Sequence, residues 1–338
     1  MAFSTIRRRQ NVQRHMRLHI PALAVLFAVI GAPAIGQPQA ADLHGTWTAE
    51  LHTGKVFLQV RTSPPPEWNR SSDSRGDWSM GHSLSVDELA GLPANDDQLT
   101  ATNVRFELRR EAGTLSFEGA FRDGRGAGLF SFAPRAQYAD EMRRLGYSEE
   151  LPLWRRYQLA VQDIGPQYIA ALRSEGFINV PLETITRSKN HGVTLDYIKA
   201  LKAEGFAQTS LEEFVRTRDH GVTPAYIHDM RAAGFASASI EELMRAKDHG
   251  VSAAYVNDLS TRGYKSLPLQ DVVRARDHGV TTEYLADMTA IVKEATLPQI
   301  IRMRDHGVTP GFVNHARARG FTTTDPDELI RLRDRGLR

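Results

Sequence analysis

An acid, a histidine and a glycine stand side by side several times in the second half of the chain. Residues 216–227 read RTRDHGVTPAYI, and similar stretches surround four other histidines. Carboxylate and imidazole groups are common metal ligands, and both also transfer protons in catalysis. The motif therefore raises two possibilities: a series of metal or proton-transfer sites, or a series of structural joints. The candidate metal ligands are His191, His220, His249, His278 and His306.

The spacing of these histidines favours the structural interpretation. Equivalent residues of stacked helical hairpins lie roughly 10 Å apart, given ordinary helix packing distances. Bonds from zinc to imidazole are only about 2.0–2.1 Å long, and one His with one Asp gives too few ligands for tight binding. The column is also interrupted, by Ile164 in the first copy and Arg335 in the last. We therefore predict no metal, no cofactor and no catalytic residue.

The position of the motif predicts what the residues do instead. Each histidine precedes a glycine at the predicted end of a helix, where a partly cationic side chain faces the negative end of the helix dipole. The preceding carboxylate is disfavoured there, so it needs a partner. We expect it to bind the amides that open the next helix or an arginine of an adjacent repeat. The predicted junction residues are Arg216, Asp219, His220, Gly221, Arg245, Asp248, His249, Gly250, Arg274, Asp277, His278, Gly279, Arg302, Asp305, His306 and Gly307.

A second hypothesis concerns acid sensitivity. Histidine changes its charge near neutral pH. Five histidines in one row would make the stiffness of the array, or its binding of a partner, sensitive to mild acid.

The elements that position the motif are short paired helices. The glycines of successive copies lie 28 or 29 residues apart from Gly192 to Gly336, a period typical of helical solenoids. In the copy 223–251, each half opens on Thr or Ser and closes on Gly plus an apolar residue, which are the N-cap and C-cap signals of a helix. Residues 136–338 are therefore predicted to form about seven helical hairpins. The first copy, with Trp154 and Tyr157, is expected to pack against the preceding domain.

Residues 37–135 show a different period, because their apolar residues alternate. This pattern predicts about six antiparallel strands in a small barrel or sandwich, so the fold class is α+β. A deep pocket lined by Trp47, Trp78 or Phe106 would make this domain a binder of a small molecule, metal or glycan. A filled interior would argue against that alternative. The predicted strands are 46–51, 55–61, 78–86, 104–110, 114–121 and 128–133.

Composition narrows the function classes. The 338 residues contain no cysteine, which excludes disulfides and thiolate chemistry. The formal net charge is +2, but residues 1–36 hold five arginines and no acid. Without them 37 basic and 40 acidic groups remain, a net charge of −3, which removes the main support for nucleic-acid binding.

The first 36 residues resemble a secretory signal peptide. Basic residues precede an apolar run at 20–30, and small residues follow at 34–36, as signal peptidase requires. The run is too short for a permanent membrane span. We therefore predict export, a periplasmic or secreted protein, and no membrane span after cleavage.

The text of the repeats also resembles a known family. TPAYIHDMRAAGF at 223–235 alternates with LMRAKDHGV at 243–251. This alternation resembles the C-terminal repeats that follow antirepressor-type sensor metallopeptidases of the BlaR/MecR class in some bacteria. Residues 45–146, with GTWTAEL, VRFELRREAGTLSFEGAFRDGRGAG and MRRLGY, are similar to a β module that accompanies those repeats.

What this resemblance implies is limited. The peptidase and its zinc helix have no counterpart in the sequence, so no catalytic activity carries over. The resemblance implies a non-enzymatic accessory or interaction module in envelope sensing or antirepressor-type signalling. The protein or peptide partner is expected from the solenoid itself, whose concave face is large and continuous.

Overall fold

A computed structural model describes residues 43–63, 77–93 and 97–337. They belong to one compact unit, in which an antiparallel sheet precedes an array of helices, as the α+β pattern predicted. The predicted signal peptide, residues 1–36, lies outside the described residues. Within the described part, no helix is long and apolar enough to cross a membrane.

The sheet contains seven described strands, all paired antiparallel in the order β3-β2-β1-β7-β6-β5-β4. Six of them match the predicted strands to within a few residues, and β4 is the additional one. A short 3-10 helix, Val86–Glu88, precedes β4. The strands are β1 Leu43–His52, β2 Lys55–Thr62, β3 Trp78–Ser85, β4 Leu89–Ala90, β5 Ala101–Arg110, β6 Gly113–Arg122 and β7 Arg125–Pro134.

Alternation and turn residues explain these strands. In β1, Trp47, Ala49 and Leu51 are buried while the residues between them are exposed, so one face of the sheet covers the core. The turn between β6 and β7 is Asp123–Gly124, with φ of 49° and 75°. Two successive positive φ values are the geometry of the tight hairpin turn that suits twisted strands.

The sheet curls into a half-barrel, and the curl depends on close contacts at glycine. A Cβ atom on Gly119 would lie 2.2 Å from the carbonyl oxygen of Ala127 and 2.7 Å from the ring of Trp47. No side chain fits there, so the indole of Trp47 packs directly on the backbone of β6.

The helix α2, Leu153–Val161, contacts strands β1, β6 and β7. The ring of Tyr157 stacks on Phe130 with centroids 5.7 Å apart, and Trp154 meets Trp78 edge-on at 5.6 Å. The side chains of Trp154 and Tyr157, both on α2, are buried. This confirms the prediction that the first copy of the repeat packs against the β domain, and it makes the sheet and the first repeats share one core.

Fourteen helices follow the sheet in the described part. They are α1 Tyr138–Arg144, α2, α3 Pro166–Ser174, α4 Leu182–Asn190, α5 Leu195–Ala203, α6 Leu211–Asp219, α7 Pro224–Ala232, α8 Ile240–Asp248, α9 Ala253–Thr261, α10 Leu269–Asp277, α11 Thr282–Ile291, α12 Leu297–Asp305, α13 Pro310–Ala318 and α14 Pro326–Asp334. Odd-numbered helices are the first helices of a pair, and even-numbered helices are the second.

Local capping sets the helix ends. Thr223 accepts a hydrogen bond from the amide of Tyr226, and Ser239 forms a capping box with Glu242 before α8. At the end of α8, Gly250 has φ of 70° and the amide of Val251 donates to the carbonyl of Ala246. These are the signals that the sequence predicted.

Stacking holds the short helices in place, because helices of nine residues are marginal alone. Second helices contact second helices of neighbouring repeats in the pairs α4–α6, α8–α10, α10–α12 and α12–α14, and first helices contact first helices at every step from α5 to α13. The array therefore has two layers, and each step between repeats places equivalent residues side by side.

Candidate functional site

The recurring histidine contacts the aspartate of the following repeat. In each of five junctions the Nδ1 atom of the histidine lies within hydrogen-bond distance of that carboxylate, and we call these the histidine junctions. A carboxylate only accepts, so Nδ1 is the donor. The pairs are His191–Asp219 at 2.6 Å, His220–Asp248 at 2.8 Å, His249–Asp277, His278–Asp305 at 2.8 Å and His306–Asp334 at 2.9 Å.

The basic residue just before each aspartate completes the junction. It lies over the aromatic ring of the preceding repeat, at a distance that suits a cation–π contact. Two of these arginines also donate from Nε to the preceding glycine carbonyl: Arg276 to Gly250 at 3.2 Å and Arg304 to Gly279 at 2.9 Å. The pairs, by distance to the ring centroid, are Arg218–Tyr197 at 5.4 Å, Lys247–Tyr226 at 4.8 Å, Arg276–Tyr255 at 5.1 Å, Arg304–Tyr284 at 5.0 Å and Arg333–Phe312 at 5.3 Å.

The tyrosines of these junctions bond forward as well. Each hydroxyl donates to the carbonyl of the valine that follows the glycine in the next repeat. Burial raises the pKa of Tyr197, Tyr226 and Tyr255 to about 12, because it disfavours the phenolate. The distances are 2.9 Å for Tyr197–Val222, 3.1 Å for Tyr226–Val251, 2.8 Å for Tyr255–Val280 and 2.8 Å for Tyr284–Val308.

The predicted partners of the aspartates need correction. The observed partner is the histidine of the preceding repeat, whereas amides of the next helix or arginines had been expected. Three of the arginines that lie three residues before an aspartate contact other acids: Arg216 lies 3.8 Å from Glu241, and Arg302 lies 2.9 Å from Asp327. Arg274 pairs with Asp271 of its own helix at 3.3 Å. The spacing of residues along the chain identified the correct aspartates. It did not identify the residue to which each aspartate binds.

The first copy of the column also needs correction, because Gln162 and not Ile164 takes the place of the histidine. The Nε2 atom of Gln162 donates to Oδ1 of Asn190 at 2.7 Å, across the same 28-residue separation as the later pairs. Asp163 then stands where the other copies have glycine, with φ of 53°. A left-handed backbone at a non-glycine residue is strained, so this junction departs from the rest.

Charged groups of the sheet contact the array at Asp163, where the first junction differs from the later ones. Arg110, at the end of β5, lies 2.7 Å from Glu88 and 3.4 Å from Asp163. Burial, and then the charges of Lys189 and Arg110, hold the pKa of His82 below its usual value. Burial also lowers the pKa of Lys189. These contacts tie the sheet to the first repeats, and the strained Asp163 supplies one of them.

The candidate metal ligands are not brought together. In residues 43–63, 77–93 and 97–337, no three His, Asp or Glu side chains are grouped so that they could hold a metal ion. His191, His220, His249, His278 and His306 each face one aspartate, and the remaining contacts of the junctions come from the cation and the ring.

A second series of junctions lies where the first helices end, and we call these the aromatic junctions. The first helices from α3 to α9, and α13, close on a glycine and an aromatic residue, and at Phe177 and Phe206 a basic residue of the next repeat covers the ring. The Nζ atom of Lys202 lies 5.1 Å from the ring of Phe177 and donates to the carbonyl of Glu175. Arg231 lies 5.5 Å from the ring of Phe206 and 3.7 Å from Glu204.

The aromatic series changes at Phe235. Ser260 occupies the position of Lys202 and Arg231, and Ala233 occupies that of Glu175 and Glu204. A groove with a volume of about 720 Å³ opens there, lined among others by Ala233, Gly234, Phe235 and Ser260. At the next step Thr289 again stands at the position of the cation, and the corresponding ring is Tyr264.

No protein-family model, curated protein or solved structure matches the chain. The resemblance of the repeats to those that follow BlaR/MecR-type peptidases therefore stays a prediction.

The interior of the half-barrel is filled by its own side chains. Trp47 and Phe106 are 1% and 2% exposed and meet edge-on with centroids 5.1 Å apart. Phe106 stacks on Phe117 at 4.7 Å, and Trp78 lies against α2. This packing argues against a ligand bound among Trp47, Trp78 and Phe106.

Proposed function

We propose that the protein is a non-enzymatic interaction module, which presents its repeat array to a protein or peptide partner. The observation that carries this proposal is the use of the recurring Asp and His residues. They are the residues best suited to chemistry, and at each histidine junction they contact one another across the boundary between repeats. Solenoid arrays commonly use their extended surface for binding.

The setting of this function is proposed from the sequence. Five arginines and an apolar run within residues 1–36 support export to the periplasm or the medium. The resemblance to repeats that accompany antirepressor sensor peptidases supports an accessory role in envelope sensing or antirepressor-type signalling. The filled half-barrel disfavours the alternative of an apolar ligand held by the sheet.

Site-specific photo-crosslinking in envelope extracts tests the proposal. A photoreactive residue at Ser237, which is exposed and lines the groove, probes the array, and one at Gln59, exposed on β2, is the matched control. We expect the full chain to capture a discrete partner from Ser237 more strongly than from Gln59. Equal capture at both positions, or capture at neither, would count against an array-based interaction module.

A further inference from the structure

The aromatic junctions show what a covered ring looks like in this fold. At Phe206 the guanidinium of Arg231 lies 5.5 Å from the ring, and a Cβ atom built on Gly205 would lie 3.1 Å from its Nη2 atom. At Phe177 the ammonium of Lys202 also donates to the carbonyl of Glu175, at the C-terminal end of α3. The chain itself thus places a cation on the ring, beside the negative end of a helix.

The junction at Phe235 keeps the ring and the helix end but lacks both the cation and the carboxylate, because Ser260 replaces Arg231 and Ala233 replaces Glu204. Phe235 is half-buried beside the end of α7, and Ser260 stands where the covering residue should be. The groove lies at the position where, one repeat earlier, the side chain of Arg231 covers Phe206.

We propose that this groove binds an arginine side chain of the protein or peptide partner. The inference rests on the proposed function and adds the chemistry of the partner. The guanidinium lies over the ring of Phe235, as Arg231 lies over Phe206. It donates to the carbonyl of Ala233, which is the counterpart of the Glu175 carbonyl that accepts from Lys202.

Stacking and hydrogen bonding at the groove favour an arginine side chain over a lysine side chain. Among the residues that line it, Glu242 carries the carboxylate and Lys265 the cation, so their charges largely cancel. Recognition then depends on stacking and on hydrogen bonds to the helix end. A planar guanidinium suits both, whereas a strongly hydrated ammonium suits them less.

Peptide binding to the full chain tests the proposal directly. The probe is a fluorescent peptide with one arginine between glycines, compared with the same peptide carrying citrulline, which has nearly the same shape without charge. We expect saturable binding of the arginine peptide and at least about tenfold weaker binding of the citrulline peptide, given the strength of a desolvated cation–π contact. Equal affinity for the two peptides would overturn the proposal.

Three variants test the location of the site. Ser260→Arg supplies the chain's own guanidinium and should abolish binding of the arginine peptide. Phe235→Leu keeps apolar bulk without the ring and should weaken binding of this peptide by about tenfold. Arg231→Ser uncovers Phe206 and should add a second binding site. Unchanged binding by Ser260→Arg, with an unchanged circular dichroism spectrum, would place the peptide elsewhere and sink the proposal.

The crosslinking experiment separates this inference from the proposed function. If Ser260→Arg captures the partner as well as the wild-type chain does, the arginine site fails and the interaction module stands. If neither chain captures a partner but the arginine peptide still binds at Phe235, the site stands and the proposed function fails.

Discussion

The two series of junctions are built from the same parts but differ in completeness. In the histidine junctions each of five rings carries its cation and each histidine has its aspartate. In the aromatic junctions Phe177 and Phe206 are covered, while Ser260 leaves Phe235 beside an open groove. The comparison indicates that one series maintains the array, and that the other is free to vary.

Alkaline pH should have the largest effect on the free energy of unfolding, because it ionises the buried tyrosines of several histidine junctions at once. Burial raises the pKa of Tyr197, Tyr226 and Tyr255 to about 12, against about 10 in an unfolded chain. Their contribution to stability is therefore complete below pH 10 and is lost as the pH rises through 12. Urea unfolding across this range should show the loss. Tyr226→Phe is the control, since it should make stability less dependent on pH.

Tyr255→Ala should give the largest effect of a single substitution. It removes a ring that is 3% exposed, the hydrogen bond to Val280 and the contact with Arg276, at a cost of about 3 kcal/mol in the free energy of unfolding. The matched change Phe235→Ala should cost only about 1 kcal/mol, because that ring is half-buried. Similar losses in urea unfolding would contradict the distinction between the two series.

The histidine–aspartate pair should contribute less, because both side chains of His249 and Asp277 are 38% exposed. A double-mutant cycle of His249→Ala and Asp277→Ala should give a coupling free energy of about 0.5 kcal/mol. Replacing Asp287, an exposed acid of α11, with alanine serves as the control and should leave stability unchanged. A coupling free energy near zero would show that the contact between His249 and Asp277 does not stabilise the protein.

Ser260→Arg should have the smallest effect on stability, and its sign is the informative part. Covering Phe235 restores a contact of the kind seen at Phe206, so the free energy of unfolding should rise by about 0.5 kcal/mol. A destabilised variant would mean that the groove does not accept a guanidinium in the geometry of Arg231.

The sequence predicted elements better than contacts between them. Alternation located six strands, and the caps at Thr223 and Ser239 located helix starts, because both signals are local. Strand β4 was missed because two residues, Leu89 and Ala90, carry no alternation. The partner of each aspartate was also missed, because the distance between repeats is set by packing and not by spacing along the chain.

Two signals for the site were present in the sequence but were not used. A basic residue precedes the acid of every complete copy, as Arg218 does for Asp219, which points to a fixed contact. In the other series the basic positions Lys202 and Arg231 give way to Ser260. Comparing columns across copies, and not only motifs within one copy, would have identified both the junction cation and the groove.

The reach of each histidine to the next aspartate, 27 or 28 residues along the chain, has a consequence for how such chains change in length. Every copy supplies one half of the junction behind it and one half of the junction ahead. Excising one whole period, such as residues 192–220, would bring His191 opposite Asp248, a pair of the same chemistry. We expect loss of such a unit to preserve the histidine series, whereas loss of the unit that contains Phe235, or of the one that contains Ser260, would also remove the proposed arginine pocket.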